Sequence, residues 1–513
     1  MLENSFTMNE PYLIGVDGGT ESLRAAVFDL KGHPLAFAST AYETRFPHPG
    51  WAEQDPRDWW RALGESVRRA VDQAGVSPGQ IAAMAVDTTC CSVVALDGNG
   101  EPLRPCLIWM DLRSAPQTEK VVATSDIALR VNSDGRGPVS AEWMVPKALW
   151  IKENEPEIFK RAAVVCEFQD YMNYHLTGRW VASITNVSAR WHYDRGRGGV
   201  PETLLERLGL SDLAAKWPAE ILDLGQVVGG LTARAAEHLA LPAGLPVVQG
   251  GADAFVGMIG LGVVRPGSLA FITGSSHLQL GLSAAPFHGT GIWGTYGDAL
   301  LPGSHVVEGG QTSTGSVVNW LRNLFGAADY EELNRSAAEL PPGSEGLIVQ
   351  EHFQGNRTPH TDPSSRGVMH GLSLKHGRGH LFRATIEGIA FGSELILETM
   401  RTNGFEPDRI VVAGGATHSD LWLQIHADVS NLPLTLTEVA DAPLLGCAVL
   451  ASVGAGLHQD VQSASDRMVK VARVISPNTA THSAYGPFYE TYKATYGAMR
   501  SLREKLDAQH LSG

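Results

Sequence analysis

The sequence predicts an α/β fold built as two similar halves around one cleft. A strand, a turn rich in Gly, Ser and Thr, and a returning strand occur at residues 12–29 and again at 269–282, and a third apolar strand, residues 410–413, runs into a further glycine turn. Between them, the apolar run at residues 81–86 delivers Asp87-Thr88-Thr89 to its end, as a parallel sheet buried on both faces does. With 513 residues the chain has room for about two to four domains, and the repeat of the strand-turn-strand device places a boundary near residues 260–268.

Taken in order, residues 12–16 form the first strand, Asp17-Gly-Gly-Thr-Glu-Ser22 the turn, and residues 23–29 the second strand, closed by Lys31-Gly32-His33. Asp55-Pro56 then opens a helix: Asp caps, Pro fits the first turn, and Trp59, Leu63, Val67, Ala70 and Val71 recur at helical spacing up to Gly75. Residues 140–180 read as helical, with segments at 146–152 and 157–163 and a stop at Thr177-Gly178-Arg179. Residues 195–200 read as an exposed loop. After the second device, residues 410–413 feed Gly414-Gly415-Ala416-Thr417 and a helix from Asp420 to Val429.

Composition excludes several classes. Forty Lys plus Arg against fifty-five Asp plus Glu leave a net charge of −15, so the surface as a whole lacks the basic field of a nucleic-acid binder. Apolar residues at 43% with charged residues at 19% exclude a disordered chain. Five cysteines with no CxxC pair point to reduced thiols in a cytoplasm rather than to a disulfide framework or zinc ribbon. The opening residues 1–10 carry no leader pattern, and the most apolar region, residues 247–264, is broken by Asp253 and glycines, so no membrane span is expected.

The turn at 17–22 reads as a hairpin turn or as a phosphate cradle, with Gly18 and Gly19 letting N–H groups approach a ligand and Asp17 orienting a hydrated cation. Its recurrence at Thr273-Gly274-Ser275-Ser276 favours the cradle. Asp253, in GGADAFVG, reads both as the N-cap of a helix from Ala254 and as a carboxylate that accepts a proton from a bound hydroxyl. Gly289, Gly291 and Gly294 match GxGxxG without a strand before or a helix after, so a dinucleotide site is set aside. His376 and His380 sit among glycines, which reads as a surface loop rather than a metal pair, and Cys90 and Cys91 read as packing at a strand end.

These motifs, with WMDLR at 109–113, EGGQTSTGSVVNWL at 308–321 and VAGGATHSDLWLQIHADV at 412–429, resemble the FGGY carbohydrate kinases in order along nearly the whole chain. The resemblance implies two actin-like ATPase (ribonuclease H-like) domains facing a central cleft. Residues 1–260 would carry the sugar pocket, first phosphate motif and catalytic aspartate, and residues 261–513 the second phosphate and adenosine motifs. It implies ATP and Mg²⁺ as cofactors. Asp17 would organise the metal, Thr20, Ser22 and Arg24 would lie at the γ-phosphate, Gly19 would be among the nucleotide-binding residues, and Thr273 and Gly274 would reach the β- and γ-phosphates from the other half. Gly310, Gly415, Ala416 and Ser419 would border the nucleoside, and Asp253 would be the general base.

Glycerol kinases carry an Arg-Glu pair where this chain has Asp87-Thr88-Thr89-Cys90-Cys91-Ser92, which disfavours glycerol. AEWMVPKALW at 141–150 and SARWHYD at 188–194 are similar to the ribulokinase-like branch, with Arg190 where a Lys is expected and therefore a planar fork of donors in place of a point charge. The expected substrate is ribulose or a related pentulose or pentitol, near Trp109, Asp111, Arg113, Glu142, Arg190 and Trp191. For Trp109 and Trp191 core packing is the competing reading. Alternatives are erythritol or xylulose as acceptor, or a non-catalytic nucleotide-dependent sensor. The expected partners are the sugar and at most a second copy of the chain, with no nucleic acid and no membrane.

Overall fold

The computed structural model describes residues 11–510 apart from 138 and 287, so the leader reading of residues 1–10 falls outside the described residues. The first sheet has six strands: β1 (Tyr12–Gly18), β2 (Ser22–Phe28), β3 (Pro34–Ala41), β4 (Ile81–Thr88), β5 (Val227–Gly230) and β6 (Pro246–Ala252), ordered β5-β6-β4-β1-β2-β3. β1 and β2 form the expected hairpin with Asp17 opposite Arg24, while β1 runs parallel to β4 with Asp17 beside Asp87. β6 runs parallel to β4, with Ala252 beside Thr88. Three parallel strand ends thus deliver Asp17, Asp87 and Asp253 to one edge, where an open α/β sheet places its ligands.

The second sheet repeats the plan with seven strands: β7 (Ser268–Thr273), β8 (His277–Ser283), β9 (Gly294–Gly297), β10 (His305–Gln311), β11 (Arg409–Gly414), β12 (Leu434–Thr437) and β13 (Val471–Ile475), ordered β9-β10-β8-β7-β11-β12-β13. β7 pairs antiparallel with β8 and parallel with β11, so Thr273 lies beside Gly414 just as Asp17 lies beside Asp87.

Among the helices, α1 (Pro56–Ala74) is built as expected, with Asp55 accepting from Arg57 N, Pro56 in the first turn and Gly75 left-handed at the end. α2 (Ile184–Arg190), α3 (Asp253–Gly260), α4 (Gly315–Leu324), α5 (Arg378–Thr402), α6 (Asp420–Ser430), α7 (Ala442–Gly454) and α8 (Thr479–His510) follow. α7 belongs by sequence to the second half but packs on β1, β4 and α3 of the first, and its Leu444, Leu445 and Ala448 share one core with Leu13, Ala85 and Met258.

Two local expectations are corrected. Residues 140–180 are helical at Met144–Asn154, Pro156–Arg161 and Phe168–Thr177, but the strand Val164–Glu167 interrupts them, because Val-Val-Cys-Glu pairs with Val93–Leu96. The loop expected at His376–His380 holds only for His376: Gly377 stands at the non-helical N-cap position, and His380 lies in the first turn of α5, its Nε2 3.2 Å from Glu345 Oε2. The three glycines of the GxGxxG match lead into strand β9, not a helix. Among the described residues no helix is long and apolar enough to cross a membrane.

Candidate active site

The edge of the first sheet gathers three carboxylates. Asp17 and Asp87 are buried, and Asp253 is half-buried on the first turn of α3. The helix is capped by Ala252, so Asp253 is not the N-cap: its Oδ1 accepts only from the N–H of Ala254, at 2.7 Å. Burial, and next the charge of Asp17, lift Asp253 to about 7. Burial and the charges of Asp17 and Asp253 hold Asp87 well above the usual carboxylate range, with Cys447 Sγ donating to its Oδ2 at 3.3 Å.

Arg24 enters from β2. Its Nη2 contacts Asp17 Oδ2, and its Nη1 lies 2.7 Å from Oδ2 of Asp441, at the start of α7. Burial lifts Asp441 to about 6 against the pull of Arg24. In the turn, Gly19 spends its N–H on Ser22 O at 3.1 Å, and Thr20 Oγ1 accepts from Trp109 Nε1 at 2.9 Å. Asp17 Oδ1 and Asp87 Oδ1 are buried with no hydrogen-bond partner among the described residues. Orphaned carboxylate oxygens of this kind fit a cation or its water shell. No cluster of three metal-binding side chains occurs among the described residues.

Across the cleft, the Thr273 hydroxyl is committed within the protein, donating to Ala413 O at 2.7 Å and accepting from Ala416 N at 3.2 Å. It therefore fixes the adjoining turns, leaving exposed Gly274 as the approachable group. Two cavities meet at the β11 turn. One, of about 460 Å³, is lined by Arg24, Asp253, Ile272, Gly414 and Asp441. The other, of about 350 Å³, is lined by Gly274, Gly315, Tyr330, Phe382, Gly415, Ala416, Ser419 and Trp422. The first is charged and open to both halves; the second is aromatic and suits a flat base. Ser419 also caps α6, accepting from Trp422 N at 3.2 Å and donating to Asn334 Oδ1 at 2.9 Å. Gly310 is corrected: it is buried inside β10, donating to Thr358 Oγ1 at 3.3 Å, and Gly315 occupies the expected place beside Gly274.

On the side where the sugar is expected, Arg113 clamps Asp111 through Nε to Oδ1 at 2.9 Å and Nη2 to Oδ2 at 2.7 Å, and also meets Glu53 Oε1 at 2.8 Å. Both are buried, and Asp111 accepts from Ala52 N at 2.6 Å, so the pair braces the segment at residues 52–53. Trp109 remains exposed at 37% beside the phosphate turn. Glu142 lines a larger cavity between the halves together with Thr312 and Arg357. The fork of Arg190 is engaged across the cleft, Nη2 with Glu308 Oε2 at 3.0 Å and Nη1 with Tyr296 OH at 2.8 Å, and Tyr296 OH donates to Glu308 Oε2 at 2.7 Å. Trp191 is corrected to core packing: it is 1% exposed, donates to Glu167 Oε1 at 2.7 Å and leans on Trp217.

Four residues that the structure brings to the cleft escaped the sequence reading. Asp87 was visible only as a strand end, and Asp441, before Ala-Pro, resembles an ordinary helix cap. Glu308 merely opens the motif at 308–321, and Gly315 lies five residues beyond the glycine chosen from that stretch.

The model of the FGGY carbohydrate kinase N-terminal domain matches residues 12–260, and that of the C-terminal domain residues 269–455. The FGGY carbohydrate kinase domain-containing protein of Xenopus laevis is 30% identical over 534 residues, covering 94% of this chain and 96% of that protein. The ribulokinase of Shouchella clausii is 31% identical over 532 residues, covering 94% of each. The crystal structure of xylulose kinase from Rhodospirillum rubrum superposes with a TM-score of 0.87 at 29% identity, covering 96% of this chain and 99% of that one. With matched domain models on both halves and a cleft built from both sheets, the chain belongs to the FGGY family of carbohydrate kinases and is an ATP-dependent carbohydrate kinase.

Proposed function

We propose that the chain transfers the γ-phosphoryl group of Mg·ATP to a hydroxyl of a free five-carbon ketose, ribulose or xylulose, or of the related polyol, with Asp253 as general base. The observation that carries this reading is the Asp253 carboxylate in the cleft facing the glycine turns of the second half, with a proton affinity lifted to about 7. A base matched to the operating pH is effective in proton transfer. Asp253 takes the hydroxyl proton as the sugar oxygen bonds to phosphorus and the bond to the ADP oxygen breaks.

Little covalent chemistry is asked of the protein beyond this; positioning and charge stabilisation do the rest. The aromatic cavity at Gly415, Ala416 and Ser419 is assigned to the nucleoside, with Gly315 in place of Gly310. Gly274, Thr20, Ser22 and Arg24 are assigned to the phosphates. Asp17, backed by Asp87, would hold Mg²⁺, which when bound neutralises phosphate charge. The halves 1–260 and 261–513, apart from α7, which packs with the first, would close on the sugar and exclude water that would otherwise hydrolyse ATP. Trp109 and Glu142 are assigned to the sugar, and the Arg190–Glu308–Tyr296 bridge to its far wall. The five free thiols fit a reducing cytoplasm.

The five-carbon ketose is supported by the Glu-Trp-x-x-Pro-Lys stretch at 142–147 and by the names of the ribulokinase and xylulose kinase relatives. A coupled assay of ADP release against D- and L-ribulose, D- and L-xylulose, pentitols, erythritol and glycerol tests it. The expected result is one pentulose or pentitol with kcat/KM about a hundredfold above glycerol. Erythritol or glycerol as the best acceptor would overturn it.

A further inference from the structure

Five aspartates at helix N-cap positions, Asp55, Asp126, Asp194, Asp329 and Asp460, each accept a hydrogen bond from a first-turn N–H of their helix. Asp441 holds the same position before α7 and makes no such bond. Its carboxylate turns instead to Arg24, 2.7 Å from Nη1. A capping aspartate relinquishes a local stabilising bond here to hold a cation 417 residues away in sequence.

The position of Asp441 is itself enforced. A Cβ on Gly260 would collide with Ala442 O, and one on Gly446 with Val256 O, so α3 and α7 cross backbone to backbone. The crossing that seats Asp253 at the start of α3 therefore also seats Asp441 at the start of α7. Between them, Arg24 is gripped from two sides: Asp17 comes from β1, and Asp441 from the second half of the chain. A guanidinium is a rigid fork of five donors, so an anion on one edge fixes where the other edge faces. Without Asp441 the nearest anion left to Arg24 is Asp17, and the fork would settle wholly on that carboxylate.

We infer that Asp441 is a positioning residue for phosphoryl transfer: it anchors Arg24 through Nη1 while Asp17 holds Nη2, and the guanidinium fixed between the two carboxylates presents to the γ-phosphate the N–H groups that neither of them takes. The inference rests on the reading of Arg24 as a γ-phosphate ligand and goes beyond it, since it gives Asp441 a role that acts through Arg24.

Asp441→Asn is the direct test, because Asn suits an N-cap as well as Asp does and no cap bond is lost. Three quantities are measured on the full chain: kcat and sugar KM, calorimetric Kd for Mg·ATP and for Mg·ADP, and melting temperature. The expected result is a fall in kcat of about tenfold to a hundredfold, with sugar KM and melting temperature kept. The preference for ATP over ADP should shrink about tenfold, the loss of one charge-assisted hydrogen bond to the γ-phosphate. In an Arg24→Gln background the substitution should add nothing further.

Wild-type kcat and ATP preference in Asp441→Asn would overturn the inference, as would equal weakening of both nucleotides with a lowered melting temperature. Asp441→Glu keeps the charge and should keep the ATP preference; losing it would count against the inference even if the Asn variant does not fold. A wild-type chain that phosphorylates no five-carbon acceptor overturns the substrate reading instead, and the nucleotide Kd ratio still decides the role of Asp441.

Discussion

At the scale of single residues, the chemistry turns on how environment separates similar carboxylates. Asp17 is met by Arg24, Asp87 is sealed beneath the sheet edge, and Asp253 is left in the cleft with burial and a neighbouring negative charge raising its proton affinity. A base must be ionised to accept a proton, so its working form is populated above about 7 and lost below. We predict that kcat/KM for the sugar falls about tenfold per pH unit on the acid side of an inflection near 7. A flat profile down to pH 5 would remove Asp253 from the base role. Asp17, Thr20, Arg24, Gly415 and Asp253 were legible as residues of the strand ends and turns at the cleft because each lies in or beside a short turn that local residues mark. Trp191 and Gly310 were not: whether an indole lines a pocket or fills a core depends on neighbours such as Glu167 and Trp217, which are distant in sequence.

At the scale of elements, the site depends on the crossing of α3 and α7. Gly260 and Gly446 let the two helices approach until backbone meets backbone, and both helices begin at cleft carboxylates. Gly446→Ala should therefore cost about 1–3 kcal/mol by overpacking and lower kcat as well, because the displaced helix carries Asp441. Gly98→Ala, exposed with no neighbour within 4 Å, is the control and should leave both unchanged. Thermal melts and ADP-release assays on the two variants check this. The strand-turn-strand devices and α1 were legible because turn and capping residues mark them. The Val164–Glu167 strand was hidden in a helical stretch because its pairing with Val93–Leu96 is long-range. The sequence of α7, apolar on all sides, announces burial but not the sheet that buries it.

At the scale of the molecule, two sheets of matching order face each other, and each supplies a different part of the reaction. The first brings Asp17, Asp87 and Asp253 on parallel strand ends; the second brings Gly274, Gly415 and the aromatic cavity. Arg190 to Glu308, Thr185 Oγ1 to Ala299 O at 2.7 Å and Asn132 Nδ2 to Trp293 O at 2.7 Å tie the halves together on the sugar side. The twofold plan was readable from the recurring turns, whereas these bridges join residues more than a hundred positions apart and carry no local signal. Because the cavity assigned to the nucleoside lies on the second half, away from Asp253, binding and chemistry should come apart in Asp253→Asn. Measured with the best five-carbon acceptor, sugar-dependent ADP release by that variant should fall by about 10²- to 10⁴-fold while calorimetry shows Mg·ATP bound as in the wild type. Transfer at a rate near that of the wild type, with the carboxylate gone, would contradict the assignment of Asp253 as the group that takes the sugar's proton.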